Sequence, residues 1–241
     1  MSGAVLLETK ALSKRFGGVV AANNIDFTVT EGELRCLIGP NGAGKSTLFS
    51  MLCGIQKADS GEIYAFGKRV THRQAFHRVR RGLGLTFQSN RAFHDLSVAE
   101  NLAIPRKPLH ARSHQKAAER YRYALDAFGL DPADQTRSGE LSHDQLQWLE
   151  IAMVLAGFPD LVMLDEPTAG MATEETNRTA EVLKALQDSG LTLLVVEHDM
   201  AFVRLVADSV TVLHQGTIFA EGTVEDITTS EAVRSIYLGK A

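Results

Sequence analysis

The chain has 241 residues, 44% of them hydrophobic, with 25 Lys and Arg against 29 Asp and Glu for a formal net charge of −4. That length is enough to bury the core of one large α/β domain carrying an insertion, and the negative balance argues against broad electrostatic binding of nucleic acid, which needs many phosphates neutralised. Cys36 and Cys53 both fall in apolar runs and read as buried thiols, so nothing implies an oxidising compartment.

The first ten residues lack a basic segment followed by a long apolar stretch, so no secretory signal is read there. Apolar runs such as Leu191 to Val196 are far too short to span a bilayer. The chain is expected to be cytoplasmic, with any membrane role arising through a partner. Residues 5–35 read as short strands with turn signals at Gly17-Gly18 and Glu31-Gly32. Leu34 to Ile38 is an apolar run of strand length, and Ser46 to Cys53 reads as a helix that Gly54 ends.

Between them stands Gly39-Pro40-Asn41-Gly42-Ala43-Gly44-Lys45-Ser46-Thr47, which fits G-x-x-x-x-G-K-[ST] at every fixed position. Strand, glycine loop and helix N-terminus in that order leave backbone N–H groups pointing one way, an arrangement that draws anions. The loop from Asn41 through Gly42, Ala43 and Gly44 reads as a cradle of amides for a nucleotide phosphate. Gly42 and Gly44 let the backbone approach phosphate oxygens, Lys45 supplies a cation for the β- and γ-phosphates, Ser46 offers a hydroxyl to Mg²⁺, and Thr47 adds a phosphate contact. A glycine-rich turn that only links strand to helix is the competing reading, and both flanks argue against it.

Gly61 to Phe66 is a further β segment. The basic stretch from Lys68 to Arg81, with Arg69, Arg73, Arg78, Arg80 and Arg81 around Val70, Phe76 and Val79, reads as an amphipathic helical pattern whose charges form a solvated face. Its histidines, His72 and His77, lack metal-site spacing. Leu83 to Phe87 is a strand ending at Gln88, after which residues 89–158 change texture into helical patterns, including His114 to Phe128 and Ser142 to Ala156, with a link holding Pro105 and Pro108. Beyond Pro159 strand and helix alternate again: Leu161 to Leu164, Thr173 to Gln187, Leu191 to Val196. Continuous apolar strands alternating with helices indicate a parallel sheet covered on both faces.

Three strand ends carry chemistry. Asp165 is placed to hold Mg²⁺ and Glu166 to polarise an attacking water. His198, after the Leu193 to Val196 strand, is placed to hydrogen-bond the γ-phosphate or that water, and Gln88 to contact both metal and water. Phosphoryl transfer needs mostly positioning and charge stabilisation, which such groups supply together.

The ordered set Gly39 to Thr47, Gln88, Leu141-Ser142-His143-Asp144-Gln145, Leu161 to Glu166 and His198 resembles the ATP-binding subunits of ABC transporters over nearly the whole chain. The resemblance implies an α/β P-loop NTPase (RecA-like) core with a mainly parallel sheet, an N-terminal antiparallel β subdomain and an inserted helical subdomain. On that template residues 1–88 and 159–241 form the core with the β subdomain, and 89–158 the helical subdomain. It implies ATP and Mg²⁺ as cofactors, and Phe16 as the aromatic that stacks on adenine. It also implies a second ATPase subunit, membrane permease subunits that hold the chain on the inner face of the membrane, and indirectly a periplasmic solute-binding protein. Local strings such as Gln145 to Ile151, Ala169-Gly170-Met171, Val196 to Met200 and Ile236 to Gly239 look like the subgroup serving importers of branched-chain amino acids, amides and urea.

Two positions depart from the family pattern. Its usual Leu-Ser-Gly-Gly-Gln signature, which caps the γ-phosphate on the opposite subunit, has His143 and Asp144 in place of the glycines. Ser142 and Gln145 still form a Ser-x-x-Gln capping box, so the helix starts in place, but a carboxylate about 4 Å from a γ-phosphate is repelled by about 4 kcal/mol at an effective dielectric of 20. Either Asp144 turns toward a basic neighbour or the partner's site is degenerate. Ala172 stands where Asp or Asn usually helps the two sites communicate. Export of lipid or lipopolysaccharide, a regulatory ATPase without a permease, and a nucleotide-binding adaptor that hydrolyses little are the competing functions.

Overall fold

Two β-sheets organise the chain, and the computed structural model describes residues 3–86, 92–105 and 114–238 of it. In the first sheet β1 (Val5–Phe16) and β2 (Val19–Thr30) run antiparallel, followed by β4 (Ser60–Ala65) and β5 (Lys68–Arg69) in the order β2-β1-β4-β5. The expectation of several short strands before residue 35 is corrected here: there are two strands of 12 residues each. Their pairing shifts register four times along its length, and Ala11 and Asn24 take left-handed backbone angles. Such bulges break the period-two alternation that sequence reading relies on while leaving one continuous ladder.

The second sheet contains β3 (Leu34–Ile38), β6 (Leu83–Leu85), β7 (Leu161–Asp165), β8 (Thr192–Val196), β9 (Ser209–His214) and β10 (Thr217–Gly222), in the order β10-β9-β3-β8-β7-β6. From β9 to β6 all neighbours are parallel, and β10 closes the edge as an antiparallel hairpin. Both faces are covered, as continuous apolar strands require. Cys36, Val162, Leu164, Leu193 and Val195 point into one core with α6 (Thr173–Asp188) and α7 (Met200–Val206), whereas Leu37, Leu161, Met163, Leu194 and Val196 point into the other with α1 (Lys45–Cys53) and the first sheet. Both cysteine thiols are buried, and burial raises both pKa values above their ordinary one.

Order in this sheet decides where the chemistry meets. Strand β8 lies between β3 and β7, with Leu37 paired to Val196 and Val196 to Asp165. The loop after β3, the segment after β8 and the acidic end of β7 therefore emerge side by side at the carboxyl edge, where ligands bind in open α/β sheets.

The stretch from Lys68 to Arg81 is not one amphipathic helix. It contributes β5, a turn, and the five-residue α2 (Ala75–Val79), and Arg78 is 1% exposed rather than solvated. Its guanidinium donates to the carbonyls of Met51 and Leu52, at the end of α1, and to those of Val70 and Arg73. Four carbonyls and the negative end of a helix dipole take the place of a carboxylate.

Between β6 and β7 come α3 (Val98–Ala103), α4 (His114–Phe128) and α5 (His143–Ala156). Val98, Leu102, Leu125, Leu149 and Ala152 form a separate small core there. Helix α5 ties it to the main core: Trp148 stacks on Phe128 at 5.4 Å, lies under the Arg178 guanidinium, and donates its indole N–H to Thr179 of α6. Among the described residues no helix is long and apolar enough to cross a membrane.

Candidate functional site

Helix α1 begins at Lys45 with Gly44 as its N-cap and no side-chain cap, so its first amides face outward from the loop. Asn41, Gly42 and Ser46 are exposed, Thr47 is half-buried, and Ala43 is buried beneath them. The two glycines do different work. A Cβ on Gly42 would meet nothing within 4 Å, so the bare backbone there opens onto the space a phosphate would take. A Cβ on Gly44 would stand 2.2 Å from the Ala21 carbonyl of β2, and its φ of +105 already excludes most side chains. Sequence reading gave both glycines to phosphate approach; at Gly44 packing against the protein itself also requires a glycine.

Lys45 is 8% exposed, and its Nζ donates to the Gly39 carbonyl at 2.6 Å and the Pro40 carbonyl at 3.3 Å. An ammonium has three donors, so this geometry holds the side chain in the loop while keeping one for a ligand. Burial lowers its pKa, against the opposing charges of Glu166, Asp165 and Glu197. Gly216, in the turn between β9 and β10, braces the loop from below by donating its N–H to the Ala43 carbonyl and accepting from Asn23.

Asp165 is the last residue of β7 and is 8% exposed. Burial, then the neighbouring Glu166, pushes its carboxyl up to about 6 despite Lys45. Glu166 takes a left-handed φ of +49, held by its N–H to the Val196 carbonyl and by the Ala169 N–H on its own carbonyl. His198 Nδ1 lies 3.4 Å from Glu166 Oε1, and its ring is largely exposed. Sequence reading missed Glu197, the buried carboxylate beneath that pair. It accepts from the Thr168 hydroxyl and from the backbone N–H of His198, fixing the two loops to each other. The signal was present as Glu197-His198 after an apolar strand, but only the fold turns Glu197 inward.

Ser142 and Gln145 form the anticipated capping box at the start of α5, each side chain bonding the other's backbone N–H. His143 Nε2 lies 2.9 Å from the Ala169 carbonyl. Among the described residues no basic side chain lies within ion-pair distance of Asp144. Phe16 is 47% exposed, with Lys14 Nζ 5.2 Å from its ring centroid, so it is a surface aromatic rather than core. Gln88 lies outside the described residues.

The residues present fit a nucleotide polyphosphate: open amides at a helix start, a glycine with clear space before it, and a lysine that two loop carbonyls hold with a donor to spare. No group of three or more His, Cys, Asp or Glu among the described residues forms an all-protein metal cage. Mg²⁺ commonly keeps several waters and takes one or two protein oxygens plus phosphates, which the Ser46 hydroxyl and Asp165 match.

A family profile described as ABC transporter matches residues 22–169. The chain is 33% identical, over 98% of both sequences, to the high-affinity branched-chain amino acid transport ATP-binding protein BraF of Pseudomonas aeruginosa. It is 34% identical to LivG of Escherichia coli, described in the same words, again over 98% of each. Among solved structures it resembles the ADP conformation of an ATP-binding cassette of an ABC transporter, with 28% identity, coverage of 98% of this chain and 99% of that one, and a TM-score of 0.84. A dimeric cassette in a post-hydrolysis state with ADP and Pi bound is 25% identical over 91% of this chain and 99% of its own, with a TM-score of 0.75.

Proposed function

The chain belongs to the ABC transporter family, and from that premise we propose that it is the ATP-hydrolysing subunit energising a separate membrane permease that imports branched-chain amino acids, amides or urea. The observation that carries this reading is full-length similarity to two branched-chain amino acid ATP-binding proteins, together with Lys45, Asp165, Glu166 and His198 at one sheet edge. The same similarity weighs against the lipid-export, regulatory and adaptor alternatives.

In this reading the amides from Asn41 to Thr47 and the Lys45 ammonium bind the β- and γ-phosphates, and Phe16 stacks on adenine. Ser46 and Asp165, with Gln88, would hold Mg²⁺, which when bound supplies positive charge to offset that of the phosphates. Glu166 orients the attacking water and takes its proton, while His198 donates to the γ-phosphate as negative charge develops on it. Ser142 and Gln145 present the start of α5 to the nucleotide of a second subunit. ATP then acts as a ligand favouring the closed pair, and hydrolysis releases it. The chain would sit on the cytoplasmic face of the membrane through its permease, and a periplasmic solute-binding protein would deliver the solute.

The test is Glu166→Gln. ATP should then drive a stable dimer on size exclusion with turnover nearly abolished, and unchanged hydrolysis would remove Glu166 as the base. Co-purification with permease subunits, and ATPase stimulation by a loaded solute-binding protein, tests the import role.

A further inference from the structure

His143 replaces a signature glycine, and glycine has no side chain with which to make the bond found here. From the first turn of α5 its Nε2 reaches the Ala169 carbonyl at 2.9 Å, beside Gly170, whose Cβ position lies 3.3 Å from the same nitrogen. The N–H of Ala169 in turn donates to the Glu166 carbonyl. One residue thus joins the imidazole on α5 to the backbone of Glu166. That backbone is in a left-handed conformation, which for a residue with a side chain persists only where surrounding contacts hold it.

Other contacts make α5 a firm anchor for this link. Its start is fixed by the reciprocal Ser142 and Gln145 bonds, and further along Trp148 donates to Thr179 of α6, the helix into which the Glu166 loop runs. Deeper in that loop, Thr168 is fastened to buried Glu197. The turn from Glu166 to Met171 is therefore held from below by Glu197 and from the side by His143.

We infer that His143 is a positioning residue, which holds the Glu166 turn in its strained conformation through the Ala169 carbonyl and so couples the signature helix to this chain's own hydrolytic carboxylate. The inference rests on the reading of Glu166 as the group that activates water. This chain's own phosphate loop has no part in the link, so the affinity of the isolated subunit for nucleotide is spared. That separates positioning of Glu166 from any contact His143 makes with a second subunit's nucleotide. Nε2 must carry the proton for the bond to exist.

The full chain is assayed at saturating Mg·ATP as wild type, His143→Phe, His143→Gly, His143→Gln and Glu166→Gln. Loss of one hydrogen bond at the turn should lower kcat about 5- to 10-fold in the Phe and Gly variants with KM for ATP within about twofold, and the Gln amide should restore most of the rate. Wild-type kcat in His143→Phe, or a Gln variant no better than Phe, overturns the positioning role. If Glu166→Gln also turns over normally, both the inference and the reading beneath it fall; if only Glu166→Gln is inactive, the positioning role alone falls. Should the Phe and Gly variants not fold, ¹⁵N-histidine spectra of the wild type at about pH 8 still decide. An Nε2–H tautomer with a slowly exchanging proton supports the bond, and an Nδ1–H tautomer overturns it.

Discussion

Arg78 donates Nη1 to the Leu52 carbonyl at 2.6 Å, closing the last turn of the helix whose first turn carries Lys45. Two further bonds from the same guanidinium, to Met51 and Val70, lie in fully buried surroundings. Burial lowers the Arg78 pKa to about 10, so the side chain stays charged through the physiological range.

Replacing Arg78 with Met removes the charge but strands these carbonyls away from water. Each unsatisfied buried group costs about 1–3 kcal/mol, and partial relaxation should leave a net loss of roughly 2–4 kcal/mol. At about 2–4 °C per kcal/mol for a chain of this size, the melting temperature should fall by roughly 5–15 °C in a nucleotide-free scan. Arg78→Lys should recover little, because an ammonium cannot fork to carbonyls on both sides.

Gly42→Ala and Gly44→Ala separate the ligand-facing from the self-packing role of the glycine loop. At Gly42 the added methyl meets open space and incurs only left-handed strain of about 1–2 kcal/mol. Its melting point should drop little while nucleotide affinity weakens by at least tenfold in a titration with ATP. At Gly44 the methyl collides with the Ala21 carbonyl, so the melting temperature should fall by more than it does for Gly42. Equal losses of stability in the two variants would contradict this division.

Glu33 gives the fold a defined acid limit. Burial favours its neutral form, but hydrogen bonds from Ser209 and from the Thr30 N–H and hydroxyl, with Arg35 beside it, hold the carboxyl below its ordinary value of 4.5. A carboxyl depressed by folding adds stability above the unfolded pKa and loses it as pH falls through the folded one. Glu33→Gln should therefore cost about 1–3 kcal/mol at neutral pH. The gap between wild-type and variant melting curves should close progressively below about pH 4.5.

His198 should matter for rate and hardly at all for stability. Its side chain is 58% exposed, and surface changes of this kind stay within about 0.5 kcal/mol. Loss of a donor aimed at developing charge costs about 10²–10³ in kcat. His198→Ala should show that drop in steady-state ATPase assays with an unchanged melting curve.

The strand, glycine loop and helix start were legible in the sequence because they follow one another locally, and Lys45 closes on the Gly39 and Pro40 carbonyls within the same nine residues. The parallel sheet was legible too, since strands buried on both faces, such as Leu161 to Leu164 and Leu193 to Val196, are apolar in continuous runs. The β1–β2 pair misread as short strands because bulges interrupt its alternation. Arg78 misread as solvated because a charge satisfied by carbonyls from α1 and the preceding turn leaves no trace in local spacing.

By itself, then, the sequence determined where the glycine loop lies between its strand and helix, the acidic and imidazole residues at the strand ends, and the alternation that makes a doubly covered sheet. All of these follow from short-range backbone geometry and side-chain type. Tertiary structure alone decided that β8 lies between β3 and β7, which brings Lys45, Glu166 and His198 to one edge. It also decided that Glu197 turns inward to Thr168 and that His143 reaches Ala169. Those contacts join residues 26 to 29 positions apart, and whether they form depends on how helices and strands pack, which no local pattern encodes.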